Sequence, residues 1–320
     1  MMPLRPGPTP TLAPPPLPVV HLARDHADSF VRAQVRAAAW RPVRRGAYAD
    51  AATEPDPFRG QRDLVLARAL AVAQTSSAPV TFSHQTAALL WGLPQVTDDC
   101  RAHVIQASKP TGRDRSLARH THDLPPEHRT SHRGFAVTTL ERTVVDCTMT
   151  LGPRAALVIA DAALHAGTSR EACLELVNKM VGRRGVVVAR TVLELADDGA
   201  ESPGESLARF VMLRAGLPRP TTQLRVETYL GNFWSDFGWP EWHVLAEYDG
   251  RAKYEANGTA SSAVIEEKRR QDAIEESGQR VLRITKEDLS APDRLVARVL
   301  RLAPRDAVRR LRPRPALMSR

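Results

Sequence analysis

Trp234-Ser-Asp-Phe-Gly-Trp-Pro-Glu-Trp-His-Val-Leu-Ala-Glu-Tyr-Asp-Gly250 sets two apolar, aromatic-rich runs around a Trp-Pro-Glu-Trp turn. That pattern is the signature of a β-hairpin. A turn centred between Glu241 and Trp242 places Asp236 directly opposite Glu247, roughly 5 Å apart at Cβ. Glu247 and Asp249 are two apart and leave the same face of their strand. Three carboxylates then converge on one side of a short hairpin. Like charges placed opposite one another destabilise a sheet, and the compensating species this predicts is a divalent cation.

Mg²⁺ or Mn²⁺ takes carboxylate oxygens and waters and leaves room for a phosphate. Such an ion lowers the pKa of a bound water and stabilises charge on a scissile phosphodiester. Asp236 and Glu247 are the expected metal ligands, with Glu205 reaching the site from the helix before the sheet and Asp249 as a further acidic residue. Lys253, after the Gly250 turn, is the candidate to orient the attacking water. Lys268 and Arg269, on the next helix, are candidates to hold a nucleic-acid backbone.

Around the hairpin the periodicities alternate. Glu205–Gly216 reads as a helix with a glycine stop. Strands follow at Gln223–Tyr229, Phe233–Trp239 and Val244–Tyr248, then a charged helix at Val264–Gly278, a strand at Gln279–Thr285 and a helix at Asp293–Leu302. The order αβββαβα predicts an α/β domain with a mixed sheet flanked by helices. The small, polar stretch Ala196–Gly204 is the expected domain boundary. It divides a region 19–195 from a domain 202–303, with a disordered Pro-rich lead at 1–18 and a loose basic tail at 305–320.

Region 19–195 reads as mostly α, with some β. Helices are expected at Phe30–Trp40, Arg59–Ala78, Ser83–Pro94 (Ser83 as N-cap, Gly92 as stop), from Thr138 onward, Pro153–Ala166 and Arg170–Met180, and strands near His103–Ile105 and Gly134–Thr138. The helix before the basic turn Arg41-Pro-Val-Arg-Arg-Gly-Ala-Tyr48 suits a winged helix, with Arg41, Arg44 and Arg45 toward a polyanion; the alternative is a solvated or self-capping turn. The six histidines from His84 to His132 show no metal-ligand spacing beyond a weak His120-Thr-His122 and are expected at the surface.

Over 320 residues, 45 Lys and Arg against 36 Asp and Glu give a net charge of +9. This balance points to a polyanion, although an Arg-, Ala- and Pro-rich composition also follows from a high-GC genome. Cys100, Cys147 and Cys173 make no disulfide framework and no CxxC pair, which suits a reducing cytoplasm. No apolar run approaches the roughly 18 residues of a membrane span, so no membrane partner is expected.

Residues 202–290 resemble the Vsr-like branch of the PD-(D/E)xK nuclease superfamily. The marks are Ser202-Pro-Gly-Glu205, Gly216-Leu-Pro218, Ser235-Asp-Phe237, Glu247-Tyr-Asp-Gly250, Lys268-Arg-Arg-Gln-Asp272 and Gly278-Gln-Arg-Val-Leu-Arg283. The resemblance implies a restriction-endonuclease-like fold, Mg²⁺-dependent endonuclease activity on DNA, Asp236 and Glu247 as ligands and Glu205 as the helix carboxylate. Where that superfamily has Lys two residues after the second acid, this chain has Asp249. The N-terminal half resembles, more weakly, the AbiEi-type antitoxins of type IV toxin–antitoxin systems, through Arg41–Tyr48, Ser83–Pro94 and Thr138–Asp146. This second resemblance implies a DNA-binding regulator, the alternative to a nuclease. The residues themselves do not separate DNA from RNA.

Overall fold

Pro57 follows Asp56, whose carboxylate accepts the Phe58 N–H at 3.0 Å, and the helix so started runs Pro57–Thr75. The computed structural model describes residues 12–51, 56–96, 98–107, 114–250 and 260–318. Its first half runs β1 (Val20–Leu22), α1 (Asp28–Arg36), β2 (Trp40–Arg44), β3 (Ala47–Asp50), α2 (Pro57–Thr75), β4 (Thr81–Phe82), α3 (His84–Trp91), β5 (Ala102–Gln106), β6 (Leu117–Thr121), β7 (Arg129–His132), β8 (Phe135–Thr138) and α4 (Leu140–Thr150). Then come α5 (Pro153–His165), α6 (Arg170–Asn178), α7 (Val186–Leu195), α8 (Pro203–Arg214), β9 (Thr221–Thr228), β10 (Gly231–Trp239), β11 (Val244–Asp249), α9 (Ala260–Glu276), β12 (Arg280–Thr285), α10 (Lys286–Ser290), α11 (Pro292–Leu302) and α12 (Arg305–Arg310). The fold is mixed α/β, and no helix among the described residues is long and apolar enough to cross a membrane.

The chain forms two compact units, one from residues 11–150 and 171–183, the other chiefly from 151–170 and 184–320. The expected boundary at Ala196–Gly204 therefore falls inside the second unit. Its polar groups are spent on internal bonds. Asp197 donates its N–H to Asp161 at 2.8 Å and accepts from Arg219 at 2.8 Å, from Gly199 N–H at 3.0 Å and from Thr222. Arg170 and Arg219 both donate to the Ala196 carbonyl at 2.7 Å. Asp161 on α5 and Arg209 on α8 form an ion pair with both side chains fully buried. Thus α5 and α7 belong with α8.

In the first unit, the sheet β1-β3-β2 packs Leu22, Val43, Ala47 and Ala49 against Ala67 and Ala71 of α2. A five-stranded sheet, β6-β5-β4-β8-β7, lies with α2 and α3 around Leu66, Phe82, Leu90, Val104 and Val137. The helix expected to reach Trp40 stops at Arg36. Trp40 opens β2 instead, because its ring is enclosed by His21, stacked at 4.0 Å, and by Phe30 and Tyr48. Of the expected disordered lead, residues 12–18 are described and Leu17 packs against the core. Gly92, at φ +93, closes α3 as expected; a Cβ there would lie 2.8 Å from the Pro14 nitrogen.

In the second unit the sheet order is β12-β11-β10-β9, antiparallel except for the parallel β11–β12 pair that α9 connects. Phe237, Trp239, Val244 and Ala246 face Met212 of α8 and Leu295 and Val299 of α11. Leu245 and Val226 face Ile274 of α9 on the other side. The segment expected as a loose tail is packed. Arg314 donates its guanidinium to the carbonyls of Leu213 and Leu217, and its N–H to Arg214 O at 3.2 Å, closing the end of α8. Leu317 is buried nearby.

Candidate functional site

The hairpin register is the one the turn demands. Phe237 pairs with Ala246, Gly238 with Leu245 and Trp239 with Val244 across Pro240–Trp242. Continuing it by one step sets Asp236 opposite Glu247, on the face away from Phe237. Trp239 and Trp242 stack with ring centroids 5.2 Å apart and fill the core, while Trp234 lines the acidic cleft.

This cleft, about 370 Å³, is lined by Trp234, Asp236, Glu247, Asp249, Arg270 and Arg283 among others. The structure brings Asp236, Glu247 and Asp249 together as expected from the spacing. Asp236 accepts the Tyr248 N–H at 2.6 Å. Glu247 has both carboxylate oxygens on Arg270 of α9, at 3.1 and 2.9 Å. Arg270 also binds Glu267 at 3.0 Å, and Glu267 in turn pairs with Arg283 of β12. The repulsion expected on this face is therefore met in part by guanidinium groups of α9 and β12, partners 23 and more residues away that hairpin spacing does not reveal.

Glu205 does not line the cleft. It sits third in α8, behind the N-cap Ser202: its oxygens accept from Glu201 N–H at 2.8 Å and Ser202 Oγ at 2.7 Å, and Ser202 Oγ accepts the Glu205 N–H at 3.2 Å. It is 8% exposed. Burial, and then the neighbouring Asp236 charge, push its carboxyl up to about 7. Tyr248 seals the same helix end, since a Cβ on Gly204 would fall 2.0 Å from its ring.

A rise from 4.5 to about 7 is worth roughly 3 kcal/mol at most. The folded protein holds this proton where the unfolded chain does not, so stability is expected to fall as pH climbs from about 4.5 to 7. Glu205→Gln keeps the Glu201 N–H contact through its amide oxygen and reverses the Ser202 contact, the neutral amide NH2 donating to Oγ. In EDTA, urea midpoints at pH 5 and pH 8 are expected to converge in the variant by most of this amount. An unchanged pH dependence would show that Glu205 is not the group concerned.

Other expected residues separate. Lys253 lies outside the described residues. Lys268 and Arg269 are exposed on α9. Arg45 is exposed at the β2–β3 turn, whereas Arg44 turns inward to Asp114 at 3.0 Å and Thr75 at 2.5 Å, and the buried Nε of Arg41 lacks a hydrogen-bond partner. Arg44 thus spends its donors on the protein itself.

The expectation of surface histidines fails at two positions in the first unit. His84 is 3% and His103 6% exposed. His84 stacks on His120 with centroids 3.5 Å apart, and His103 Nδ1 lies 3.1 Å from His120 Nε2. Burial first, then the neighbouring histidines, hold His120 down to about 4 and His84 well below the usual imidazole range. No spacing signal could have found this group, because its members come from α3, β5 and β6.

No family model matches the chain. It is similar to two proteins of Mycobacterium tuberculosis, uncharacterized protein MT2308 of strain CDC 1551 / Oshkosh and uncharacterized protein Rv2248 of strain ATCC 25618 / H37Rv, each 35% identical over 162 residues. The match covers 50% of this chain and 58% of each relative, so the chain spans little more than half the length of the relatives it matches.

Proposed function

We propose that residues 202–303 form a restriction-endonuclease-like domain that hydrolyses phosphodiester bonds in DNA with Mg²⁺ or Mn²⁺. The observation that carries this reading is the meeting of Asp236 of β10 with Glu247 and Asp249 of β11 in one acidic cleft, near a Glu205 carboxyl raised by burial and then by the Asp236 charge. The donor set fits a hard cation: carboxylate oxygens of Asp236, Glu247 and Asp249 on neighbouring strands. Asp236 and Glu247 would hold the ion, with Asp249 or Glu205 beside them. When bound, the ion supplies a water of lowered pKa and charge stabilisation at the phosphate. The exposed Lys268 and Arg269 hold the nucleic-acid backbone without reading sequence. The unit of residues 11–150 and 171–183 is read as a winged-helix-like, antitoxin-type module in which Arg45 is the basic residue best placed for phosphate.

One observation favours a second reading, a non-catalytic DNA-binding regulator with a degenerate nuclease fold. Arg270 occupies both oxygens of Glu247, and the usual lysine position holds Asp249.

The test is cleavage of supercoiled, linear and single-stranded DNA by purified protein in Mg²⁺, Mn²⁺ or EDTA. Cutting that needs the metal supports the hydrolase, whereas binding without cutting in every metal supports the regulator. Arg270→Gln sharpens the choice. In a hydrolase, the guanidinium competes with the ion for Glu247, and its removal is expected to tighten Mn²⁺ binding about tenfold, equivalent to ~1.4 kcal/mol. In a regulator the same change costs stability and leaves Mn²⁺ binding unaltered.

A further inference from the structure

His84, His103 and His120 lie outside the acidic cleft, in the other unit, and no step proposed there uses them. His103 on β5 and His120 on β6 share one face of the sheet, because His120 pairs with Ile105, two residues beyond His103. His84 comes to them from the first position of α3. One ligand nitrogen from each lies within 4.8 Å of the other two.

Hydrogen bonding prepares these rings for a ligand. Asp99 Oδ2 lies 3.3 Å from His103 Nε2. Asp99 is itself gripped by Arg101, whose Nε reaches Oδ1 at 2.9 Å and whose Nη2 reaches Oδ2 at 2.6 Å. A carboxylate accepts only, so the His103 proton resides on Nε2, and its Nδ1 lone pair points at His120 Nε2, 3.1 Å away. Two nitrogens on one tetrahedral zinc ion are about 3.4 Å apart, close to this separation. His84 Nδ1 is engaged by Ser83 Oγ at 2.9 Å, which leaves Nε2 as the third donor. A carboxylate behind one imidazole and a hydroxyl behind another is the outer-shell pattern that orients metal-bound histidines.

The backbone adds an independent sign. His84 has φ +50, in the left-handed region, at a cost of about 1–2 kcal/mol for a residue with a Cβ. Such strain collects where a side chain must be aimed. Here it lays the His84 ring face to face on His120 at an interplanar angle of 11°, so His84 must turn off this stack for both rings to hold one ion.

We propose that His84, His103 and His120 form a three-histidine site for a transition-metal dication of the zinc class, with Asp99 and Ser83 as outer-shell partners. Imidazole nitrogens suit Zn²⁺, Co²⁺, Ni²⁺ and Cu²⁺ rather than Mg²⁺, and three protein ligands leave a fourth position for water or an exogenous ligand. On binding, the neutral His120 ring carries its proton on Nδ1 instead of Nε2, and the ion replaces the His103–His120 hydrogen bond between two neutral imidazoles.

The test uses the full chain without an affinity tag, stripped with EDTA and exchanged into chelator-free buffer. Zn²⁺ alone is titrated calorimetrically, and Co²⁺ alone by visible absorption, in Asp236→Ala so that the acidic cleft does not contribute. One equivalent per chain with a tetrahedral Co²⁺ spectrum is expected. His120→Ala, at the most exposed of the three rings, is expected to lose both signals. Asp99→Asn is expected to weaken Zn²⁺ by about 10–100-fold while keeping its Co²⁺ spectrum. Far-UV circular dichroism of each variant separates loss of the site from loss of fold. Absence of stoichiometric binding in folded Asp236→Ala protein, or equal binding after His120→Ala, would overturn the proposal and leave a hydrogen-bonded histidine stack.

Discussion

Asp236→Ala is expected to lower metal-dependent cleavage at least about a hundredfold, the scale of losing one preorganised group that stabilises charge in a transition state. The carboxylate has two tasks, and the variant removes both. It accepts the Tyr248 N–H at 2.6 Å, holding the hairpin where Glu247 and Asp249 project, and under the proposed function it supplies one of two metal ligands. Asp236→Asn separates these tasks, because the amide oxygen still accepts the N–H while the charge is gone. Equal losses in both variants locate the effect in the charge; activity retained in Asn would make Asp236 a hairpin brace. DNA binding is expected to persist or tighten in both, since a negative group leaves a surface that meets phosphate. Cleavage at the parent rate in Asp236→Ala would remove this cleft as the active centre. The Glu205 carboxyl offers a readout independent of turnover, because loss of the Asp236 charge is expected to let it titrate lower.

Asp161→Ala is expected to destabilise the second unit by about 3–5 kcal/mol, the usual cost of removing one partner from a buried ion pair. Arg209 and Asp161 are both wholly buried. Without the carboxylate, a guanidinium remains in the core and the Asp197 N–H loses its acceptor. For a body of this size each kcal/mol moves the midpoint roughly 2–4 °C, so a fall of about 6–20 °C is expected by calorimetry. The double variant Asp161→Leu with Arg209→Met is expected to recover most of it, since replacing a buried pair by apolar groups is often neutral. A single-variant loss below about 1 kcal/mol would mean that α5 and α8 are held together by apolar contacts alone.

The hairpin was legible because its information is local. Alternation along Phe233–Trp239 and Val244–Tyr248, with a proline turn between, fixes one register, and that register places three carboxylates. The αβββαβ order was legible for the same reason. Short α10 was not: five residues carry no periodicity, and the signal that starts it is the Thr285–Asp288 capping box. The boundary was misplaced because Asp197 and its glycines look like a linker until their partners on α5, α8 and β9 are known. The Glu247–Arg270 clamp and the histidine cluster depend on residues brought together by topology, which spacing along the chain does not encode. Trp40 shows the same limit in miniature, its ring drawn from a helical run into an aromatic cluster.

Arg314 closes a helix that ends a hundred residues earlier: its contact with Leu213 spans 101 positions. That distance becomes time during synthesis. At about 5–20 residues per second, the stretch takes roughly 5–20 s to make. Through that interval the end of the helix bearing Glu205 has only its own turn to close it, Gly216 N–H on Leu213 O and Leu217 N–H on Met212 O, while the strands after it are already being made. The second unit thus completes its packing late, once Arg314 and Leu317 have emerged, a delay written into chain order.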